Sequence, residues 1–382
     1  MNLKRLEKRA SGIELLRVIA MLFITFHHYA LYGIIEPIQS YRGGGHFLEG
    51  AAIHKFLTYL FFSGGDVGVI IFFLITGYFL INSKRSNVKS FLLQVLFYCC
   101  VQVTIFLVNS FFFDGSFYRA MTRGEKLKAL VAYIFAPFAS SRYWFATAYT
   151  LLILFAPILN QVLLKLNKKG FLLLLAIMYM PFVLLGTFFL YPFLGFTKAL
   201  FYYAVGAYLQ LHCSEMTFEK PVARITDLIM AICAMICFAL LKYSAEEIFA
   251  GNPSFVIKLF AEVFYPLTYG LLAPICAIGF FRFFGGMTFK NKVVNLIAST
   301  TFGCYLMQEG VFNRNMIFGG ILKISQTQYL QALYPLYAVV TVIVIFIVFS
   351  SIDLIRQIVF EPLYLKAFDR IADSVNENLF TK

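Results

Sequence analysis

Long apolar runs, separated by short polar segments, constrain this chain more than any other feature of its sequence. About ten runs reach the roughly 17–25 residues that an α-helix needs to cross a bilayer. Backbone groups find no water in the hydrocarbon core, so each run must satisfy its own hydrogen bonds as a helix. The runs are 12–33, 55–81, 91–113, 143–164, 171–190, 195–211, 223–243, 257–281, 293–311 and 331–357.

The composition excludes an ordinary soluble enzyme. Of the 382 residues, 60% are hydrophobic and 13% are charged, whereas a soluble domain carries about a quarter charged residues. The mean hydropathy is +0.79. We therefore expect an all-α, polytopic integral-membrane bundle of about ten transmembrane helices, with residues 1–382 forming a single transmembrane domain.

The positions of the lysines and arginines indicate how the chain is oriented in the bilayer. Most lie in alternate polar segments, as the positive-inside rule requires, so both termini are expected in the cytoplasm, with basic tails at about 1–11 and 358–382. The net charge of +13 follows from this pattern, so the lipid bilayer is the expected partner and nucleic acid is not. The basic segment 114–142 falls outside by alternation, and fits a membrane-surface helix, a contact for an anionic substrate, or a solvated loop.

The first run carries ionisable side chains that are costly in lipid. Glu14, Arg17, His27 and His28 lie within it, and such groups usually face a protein interior or a wet cavity. At about 100° per residue, Arg17 and His28 share one face about 16 Å apart, while His27 points about 100° away and is expected to pack or orient. His28 suits a proton acceptor and Arg17 an anion clamp. The alternative is structural, with Arg17 paired to Glu14 and His28 capping the helix end.

The second run combines small and polar residues. Gly68 and Gly77 permit close helix approach or a backbone turn toward a ligand, and Thr76 offers a hydroxyl between them. Packing is the more common use of small residues in membrane helices. The stretch Ser63-Gly-Gly-Asp66 also leaves open an interruption of this helix or a re-entrant piece before it.

Two further groups of polar residues lie at the predicted outer ends of later runs. They are Arg142, Trp144 and Tyr149 in one group, and Tyr305, Gln308 and Glu309 in the other. The ordinary interpretation of a tryptophan at this level is an aromatic belt. Gln308 and Glu309 are expected to line the outer mouth of a cavity, and Glu262 is a further candidate lining residue. The seven cysteines show no CxxC or Cys/His spacing, so no metal site is expected.

Together these motifs resemble the acyltransferase family 3 integral-membrane proteins, which acylate bacterial surface polysaccharides and related glycans. The family's first-helix signature, Arg-x10-His with an acidic residue three positions before the arginine, matches Glu14, Arg17 and His28. Its next signature, Gly-Val-x-x-Phe-Phe-x-x-Ser-Gly-[Phe/Tyr], matches residues 68–78 with Thr76 in place of serine. A Trp-x12-Pro element matches Trp144 and Pro157. Ten spans also agree with the family, so the resemblance covers nearly the whole chain.

The chain departs from the family pattern in two places. Some members carry Glu-Glu five and six residues after the tryptophan, where this chain has Tyr149-Thr150. Members often carry the motif Tyr-Leu-[Ile/Leu]-His, and this chain has Gln308 at the position of the histidine. A second catalytic base is therefore not implied there. Some members are fused to an extracytoplasmic domain; this chain is expected to be the stand-alone type, acting alone or with a separate partner.

The resemblance implies a multi-pass enzyme of the bacterial plasma membrane. It would move an acyl group, expected to be acetyl, from a cytoplasmic thioester such as acetyl-CoA to a hydroxyl of a surface polysaccharide or lipid-linked glycan. His28 would deprotonate the acceptor or stage the acyl group, Arg17 would hold the donor's phosphates or orient the base, and Glu14 would pair with Arg17. Lys84 and Arg85 would contact CoA phosphates, or would only anchor the chain by the positive-inside rule.

The remaining polar candidates are assigned to the substrate. These expected substrate-binding residues are Thr76, Arg142, Trp144, Tyr149, Tyr305, Gln308 and Glu309. Other glycan-assembly proteins are expected partners, and no metal is expected. Two alternatives remain open from sequence: a glycan exporter or flippase without acyl chemistry, and a scaffold subunit of a glycan-assembly complex.

Overall fold

A computed structural model describes most of the chain. The residues described are 9–41, 48, 50–83, 88–112, 122, 124–125, 127–128, 131, 143–184, 194–213, 221–250, 254–310 and 314–380. Within these ranges the secondary structure is entirely helical, with no β-strand. The expected all-α fold is confirmed for this part of the chain.

The described residues form fourteen α-helices and four π-helical segments, and thirteen of the α-helices are numbered here in chain order. The first six are α1 Ser11–Ala30, α2 Ala52–Leu80, α3 Val88–Phe112, α4 Trp144–Leu163, α5 Lys168–Tyr179 and α6 Leu194–His212. The others are α7 Pro221–Ala250, α8 Phe255–Gly285, α9 Lys292–Ser299, α10 Thr301–Glu309, α11 Ile324–Thr327, α12 Tyr334–Ile355 and α13 Glu361–Phe380. Helix α1 continues through a π-helical turn, Leu31–Ile35, into a short helix at Glu36–Tyr41.

Six described helical segments are long and apolar enough to cross a membrane. They are Ser11–Ile38, Ala52–Leu80, Val88–Val108, Trp144–Leu163, Pro221–Ile248 and Tyr334–Ile371. The protein is therefore a multi-pass membrane protein, while the count of ten spans and the cytoplasmic termini stay predictions. The ninth predicted span, 293–311, consists of two shorter helices, α9 and α10, joined at Thr300.

Helix α1 lies at the centre of the described bundle. It packs against α2, α8, α9, α10 and α12, and its side chains contribute to two buried hydrophobic clusters formed by the described residues. Because protein rather than lipid surrounds it, the polar residues of this helix can be kept away from hydrocarbon. This placement is what the sequence requires for Glu14, Arg17 and His28, which form a polar stripe along one face of the helix.

Helix α2 is continuous, so the interruption considered at Ser63-Gly-Gly-Asp66 is wrong. The small residues serve close packing instead. A Cβ atom built on Gly68 would lie 2.6 Å from the Ala20 carbonyl oxygen of α1. A Cβ on Gly77 would collide with the Tyr203 carbonyl oxygen of α6. Helices that approach this closely leave no room for a side chain, which is how small residues pack membrane helices.

Replacing Gly77 with alanine is expected to destabilise the α2–α6 contact by about 1–3 kcal/mol, because the added methyl group overlaps backbone atoms that cannot rotate away. Gly319→Ala is the matched control, since nothing lies within 4 Å of a Cβ at that position. Size-exclusion chromatography of detergent-purified protein after a series of heating steps measures the difference. Equal thermal losses for the two variants would contradict this packing.

Candidate active site

His28 lies one helical turn before the π-helical turn that extends α1, and it is buried with 5% of its surface exposed. Its ring lies between two side chains of α10. Nδ1 is 3.0 Å from Oε1 of Gln308, and Nε2 is 3.1 Å from Oε2 of Glu309. Gln308 and Glu309 are themselves buried. They therefore hold the histidine inside the protein. The sequence predicts these two residues at the outer mouth of a cavity, whereas the structure buries them beside His28.

The Gln308 amide fixes which nitrogen of His28 carries a proton. Its Nε2 donates to Oγ1 of Thr25 over 3.0 Å, and the Thr25 hydroxyl in turn donates to the Met21 carbonyl over 2.9 Å. With the threonine proton already committed, the amide must present its NH2 to Thr25 and its oxygen to His28. Nδ1 of His28 therefore carries the proton that this oxygen accepts.

Nε2 of His28 lies 3.1 Å from Oε2 of Glu309, a distance at which the two groups can hold one proton between them. Either His28 is an imidazolium beside an ionised Glu309, or a neutral His28 accepts a hydrogen bond from a protonated Glu309. In both cases the two groups hold one proton jointly and their charges sum to zero. The base form of this pair is the one that has lost that shared proton.

Glu309 also contacts two residues on the side of His28 away from Arg17. The Tyr32 hydroxyl donates to Oε1 over 3.3 Å, and Nη1 of Arg314 is 3.6 Å from the same oxygen. Arg314 also donates to the Tyr32 hydroxyl over 3.0 Å, and its guanidinium lies over the Tyr32 ring. The carboxylate is thus oriented by contacts from the π-helical turn after α1 and from the segment after α10.

At the other end of the stripe, Glu14 is bracketed by two arginines. Nη1 of Arg9 is 3.2 Å from one of its oxygens, and Nε of Arg17 is 3.9 Å from the other. The pairing of Arg17 with Glu14 that the structural alternative required is therefore present. The second part of that alternative is wrong, because α1 continues beyond His28 and the ring contacts α10 and not the end of its own helix.

A cavity of about 710 Å³ extends along α1 from this group of charges. Polar side chains line it, among them Arg9, Glu14, Arg17, Thr76, Ser83, Ser90, Gln94, Tyr149 and Thr301. Aromatic and aliphatic side chains line the rest, including Ile24, Phe72, Phe79, Phe91, Phe145, Phe302 and Tyr305. Its size is within the usual range for small-molecule sites, about 300–1,000 Å³.

The cavity approaches the buried histidine at its apolar end. Ile24 on α1 and Tyr305 on α10 both line the cavity, and each lies one helical turn before a member of the His28–Glu309 pair. The Tyr305 ring packs against Phe145, with 5.1 Å between ring centroids. Tyr305 and Ile24 therefore lie between the cavity and the His28–Glu309 pair.

The family comparison agrees with this arrangement of a central first helix and a cavity beside it. Residues 11–351 match the acyltransferase family 3 model, which is described as an acyltransferase domain. The chain belongs to the acyltransferase 3 family. It is a membrane acyltransferase. No curated protein and no solved structure is detectably similar to it.

The predicted site residues of the acyltransferase divide into several groups. Glu14, Arg17, Thr76, Tyr149 and Tyr305 line the large cavity, and His28, Gln308 and Glu309 form the buried network beside it. The Thr76 hydroxyl donates to the Phe72 carbonyl of its own helix over 2.7 Å. The roles assigned to all these residues stay predictions; the structure places them along one cavity and in the buried network beside it.

Other predicted residues lie elsewhere or cannot be placed. Trp144 lines a separate small pocket together with Asp66 and Lys198. Lys84, Arg85 and Arg142 lie outside the described residues, as does most of the basic segment 114–142, and nothing is described of the Glu262 side chain. The expected contacts of Lys84 and Arg85 with CoA phosphates therefore stay predictions.

Arg9, Tyr32 and Arg314 contact predicted site residues but are not themselves among the site residues predicted from the sequence. Arg9 had been read only as part of the basic N-terminal tail. Tyr32 lies four positions after His28, a spacing that places it on the same helix face. Arg314 follows Glu309 by five positions across the end of α10, where local periodicity gives no signal. Helical spacing places Tyr32 next to His28 without the structure, whereas the position of Arg314 beside Glu309 is seen only in the tertiary structure.

Proposed function

We propose that this acyltransferase transfers an acyl group, expected to be acetyl, from a cytoplasmic thioester donor such as acetyl-CoA to a hydroxyl of a cell-surface polysaccharide or lipid-linked glycan. One observation carries the proposal. A cavity that begins at Arg9, Glu14 and Arg17 ends one helical turn from the His28–Glu309 pair. An anion-binding end and a proton acceptor therefore lie along one helix that crosses the membrane.

The two ends of the cavity suit the two ends of an acyl-CoA. Arg9 and Arg17 supply guanidinium groups at one end, and such groups recognise phosphate oxygens with paired hydrogen bonds. Phe145, Phe302 and Tyr305 supply an apolar wall at the other end. If the N-terminus is cytoplasmic, as the positive-inside rule predicts, the arginine end faces the compartment that contains acyl-CoA.

The proposed reaction needs one proton acceptor and one leaving thiolate. The acceptor hydroxyl attacks the thioester carbonyl, the new C–O bond forms as the C–S bond breaks, and CoA leaves as the thiolate. The hydroxyl proton passes to the His28–Glu309 pair in its base form, which then holds one shared proton between Nε2 and Oε2. Gln308 keeps Nδ1 protonated throughout, so only Nε2 can take part.

The donor end is tested with Arg17→Gln in protein reconstituted into lipid. We expect the KM for acetyl-CoA to rise by about tenfold or more with a smaller change in kcat, because a charge-assisted contact to phosphate is lost. Release of free CoA and transfer of labelled acetyl to glycan are measured together. Lys165→Gln, which removes an exposed charge outside the cavity, is the matched control.

Two outcomes of this experiment would contradict the proposal. An unchanged KM for acetyl-CoA in Arg17→Gln would show that Arg17 does not bind the donor. A wild-type protein that releases no CoA and forms no acylated glycan, yet moves glycan across the bilayer, would support the exporter alternative instead.

A further inference from the structure

A second polar cluster lies beyond the His28–Glu309 pair, on the side away from the donor cavity. Ile24, His28, Tyr32 and Glu36 follow one another at intervals of four residues along α1 and its extension. Ile24 lines the cavity, while Tyr32 contacts Glu309 and Arg314, and Glu36 lies within electrostatic range of Arg314, Glu309 and His28. Tyr32, Glu36 and Arg314 therefore lie next to the proton acceptor at the opposite end from the donor.

The cluster has hydrogen-bonding groups that its own members leave unused. Nε of Arg314 is buried and makes no hydrogen bond to any residue that the structure describes. The Glu36 side chain is exposed and offers acceptor oxygens. A guanidinium that only donates, next to a carboxylate that only accepts, suits a ligand with many hydroxyls, because each hydroxyl can both donate and accept.

We propose that Tyr32, Glu36 and Arg314 bind the acyl acceptor, and that the sugar unit they bind carries no charge. This inference rests on the proposed acyltransferase reaction and specifies its substrate class. Bound there, an acceptor hydroxyl would lie beside Glu309 and His28 and would reach the acyl donor from the opposite side. The predicted orientation places this cluster toward the outer face, where surface glycan is found.

The charge count of the site supports an uncharged sugar. The His28–Glu309 pair sums to zero while it holds its shared proton, and Glu36 balances Arg314. When the pair loses that proton to become the base, the site carries one net negative charge. Among the residues that the structure describes at this cluster, a carboxylate on the sugar would then meet no uncompensated positive charge. Partial burial makes the repulsion stronger than it would be in water.

Acceptors that differ only in charge test this inference. Reconstituted protein is given labelled acetyl-CoA with octyl glucuronide, galacturonide or mannuronide, each as the free acid and as its methyl ester. The acid and the ester of each sugar have the same ring hydroxyls. We expect the esters to be acetylated at least about tenfold faster than the acids, because only the acids place a charge against the site.

Glu36→Gln provides the sharper test, because it predicts a gain of activity. Removing this exposed carboxylate leaves Arg314 unbalanced, so the variant should use the acids several-fold better relative to the esters. Arg314→Gln should raise the KM for the ester acceptors more than the KM for acetyl-CoA, because Arg314 lies on the side of the His28–Glu309 pair away from the donor cavity. Lys323→Gln, an exposed cation in the same part of the chain, is the control and should behave as wild type.

The outcomes separate the two levels of the proposal. Equal acetylation rates for the acids and the esters would overturn the uncharged-acceptor site. An unchanged ratio of acid to ester acetylation rates in Glu36→Gln would also overturn it. An unchanged ester KM in Arg314→Gln would also overturn it. Wild-type protein that acetylates none of these sugars while it still acetylates its native glycan would do the same. Failure to acetylate any glycan would instead contradict the proposed function itself.

Discussion

Replacing His28 with alanine is expected to lower acyl transfer by about 100-fold or more, the usual contribution of a positioned general base. The substitution removes the nitrogen that faces Glu309 at 3.1 Å and leaves both Glu309 and the Gln308 amide without their central partner. The remaining carboxylate can still accept a proton, but nothing fixes its position relative to the acceptor hydroxyl. We therefore expect the loss in kcat and not in the KM for acetyl-CoA.

The adjacent histidine is the matched control for this experiment. His27 contacts the Phe62 carbonyl of α2 and packs against the Phe62 ring, away from the cavity and from α10. His27→Ala should therefore retain acyl transfer within a few-fold of wild type. Mass spectrometry of surface glycan from a deletion strain, complemented with either variant at matched expression, measures both. Wild-type acetylation by His28→Ala would refute the proposed mechanism.

Asp353→Ala is expected to lower the free energy of unfolding by about 3–5 kcal/mol, the cost of breaking a buried ion pair. Asp353 is fully buried on α12 and forms an ion pair over 2.7 Å with Nε of Arg356, which is itself 4% exposed. The same carboxylate accepts hydrogen bonds from Tyr98 of α3 and from Gln357. Removing it leaves a buried guanidinium with fewer partners and disconnects α3 from α12.

An exposed aspartate gives the control for this stability measurement. Asp369 forms an ion pair with Lys89 and its side chain is 61% exposed, so Asp369→Ala should cost about 1 kcal/mol or less. Unfolding of the purified protein in detergent, followed by the change in helical circular dichroism, compares the two variants with wild type. Equal losses for Asp353→Ala and Asp369→Ala would contradict a structural role for the buried pair.

The sequence was enough to predict the membrane bundle and the polar face of its first helix. Both follow from local rules, since the bilayer forces long apolar runs into helices and the helical repeat puts Arg17 and His28 on one face. The same repeat correctly predicts that His27 points away from Arg17 and His28. The family signature rested on these residues together with the second and third motifs, and the match to residues 11–351 confirmed it.

The contacts that Gln308 and Glu309 make with His28 could not be predicted in this way. His28 and its partner Gln308 are 280 positions apart in the chain, and whether α10 presents Gln308 and Glu309 inward depends on how that helix is rotated against α1. The sequence placed them at an outer mouth, and it left open a break in α2 where the glycines in fact allow close packing. The sequence likewise does not indicate the role of Asp353 and Arg356, because only the fold brings Tyr98 beside Asp353.

The sequence by itself therefore determined that this chain is a helical membrane acyltransferase with a polar stripe along its first helix. Only the tertiary structure decided that Glu309 faces Nε2 of His28, that Gln308 fixes the tautomer of the ring, and that Arg314 and Tyr32 lie beyond Glu309. The physical reason is one of range. Burial in lipid and helical periodicity act on neighbouring residues, whereas the contacts between helices depend on rotations and offsets that arise only when the whole bundle packs.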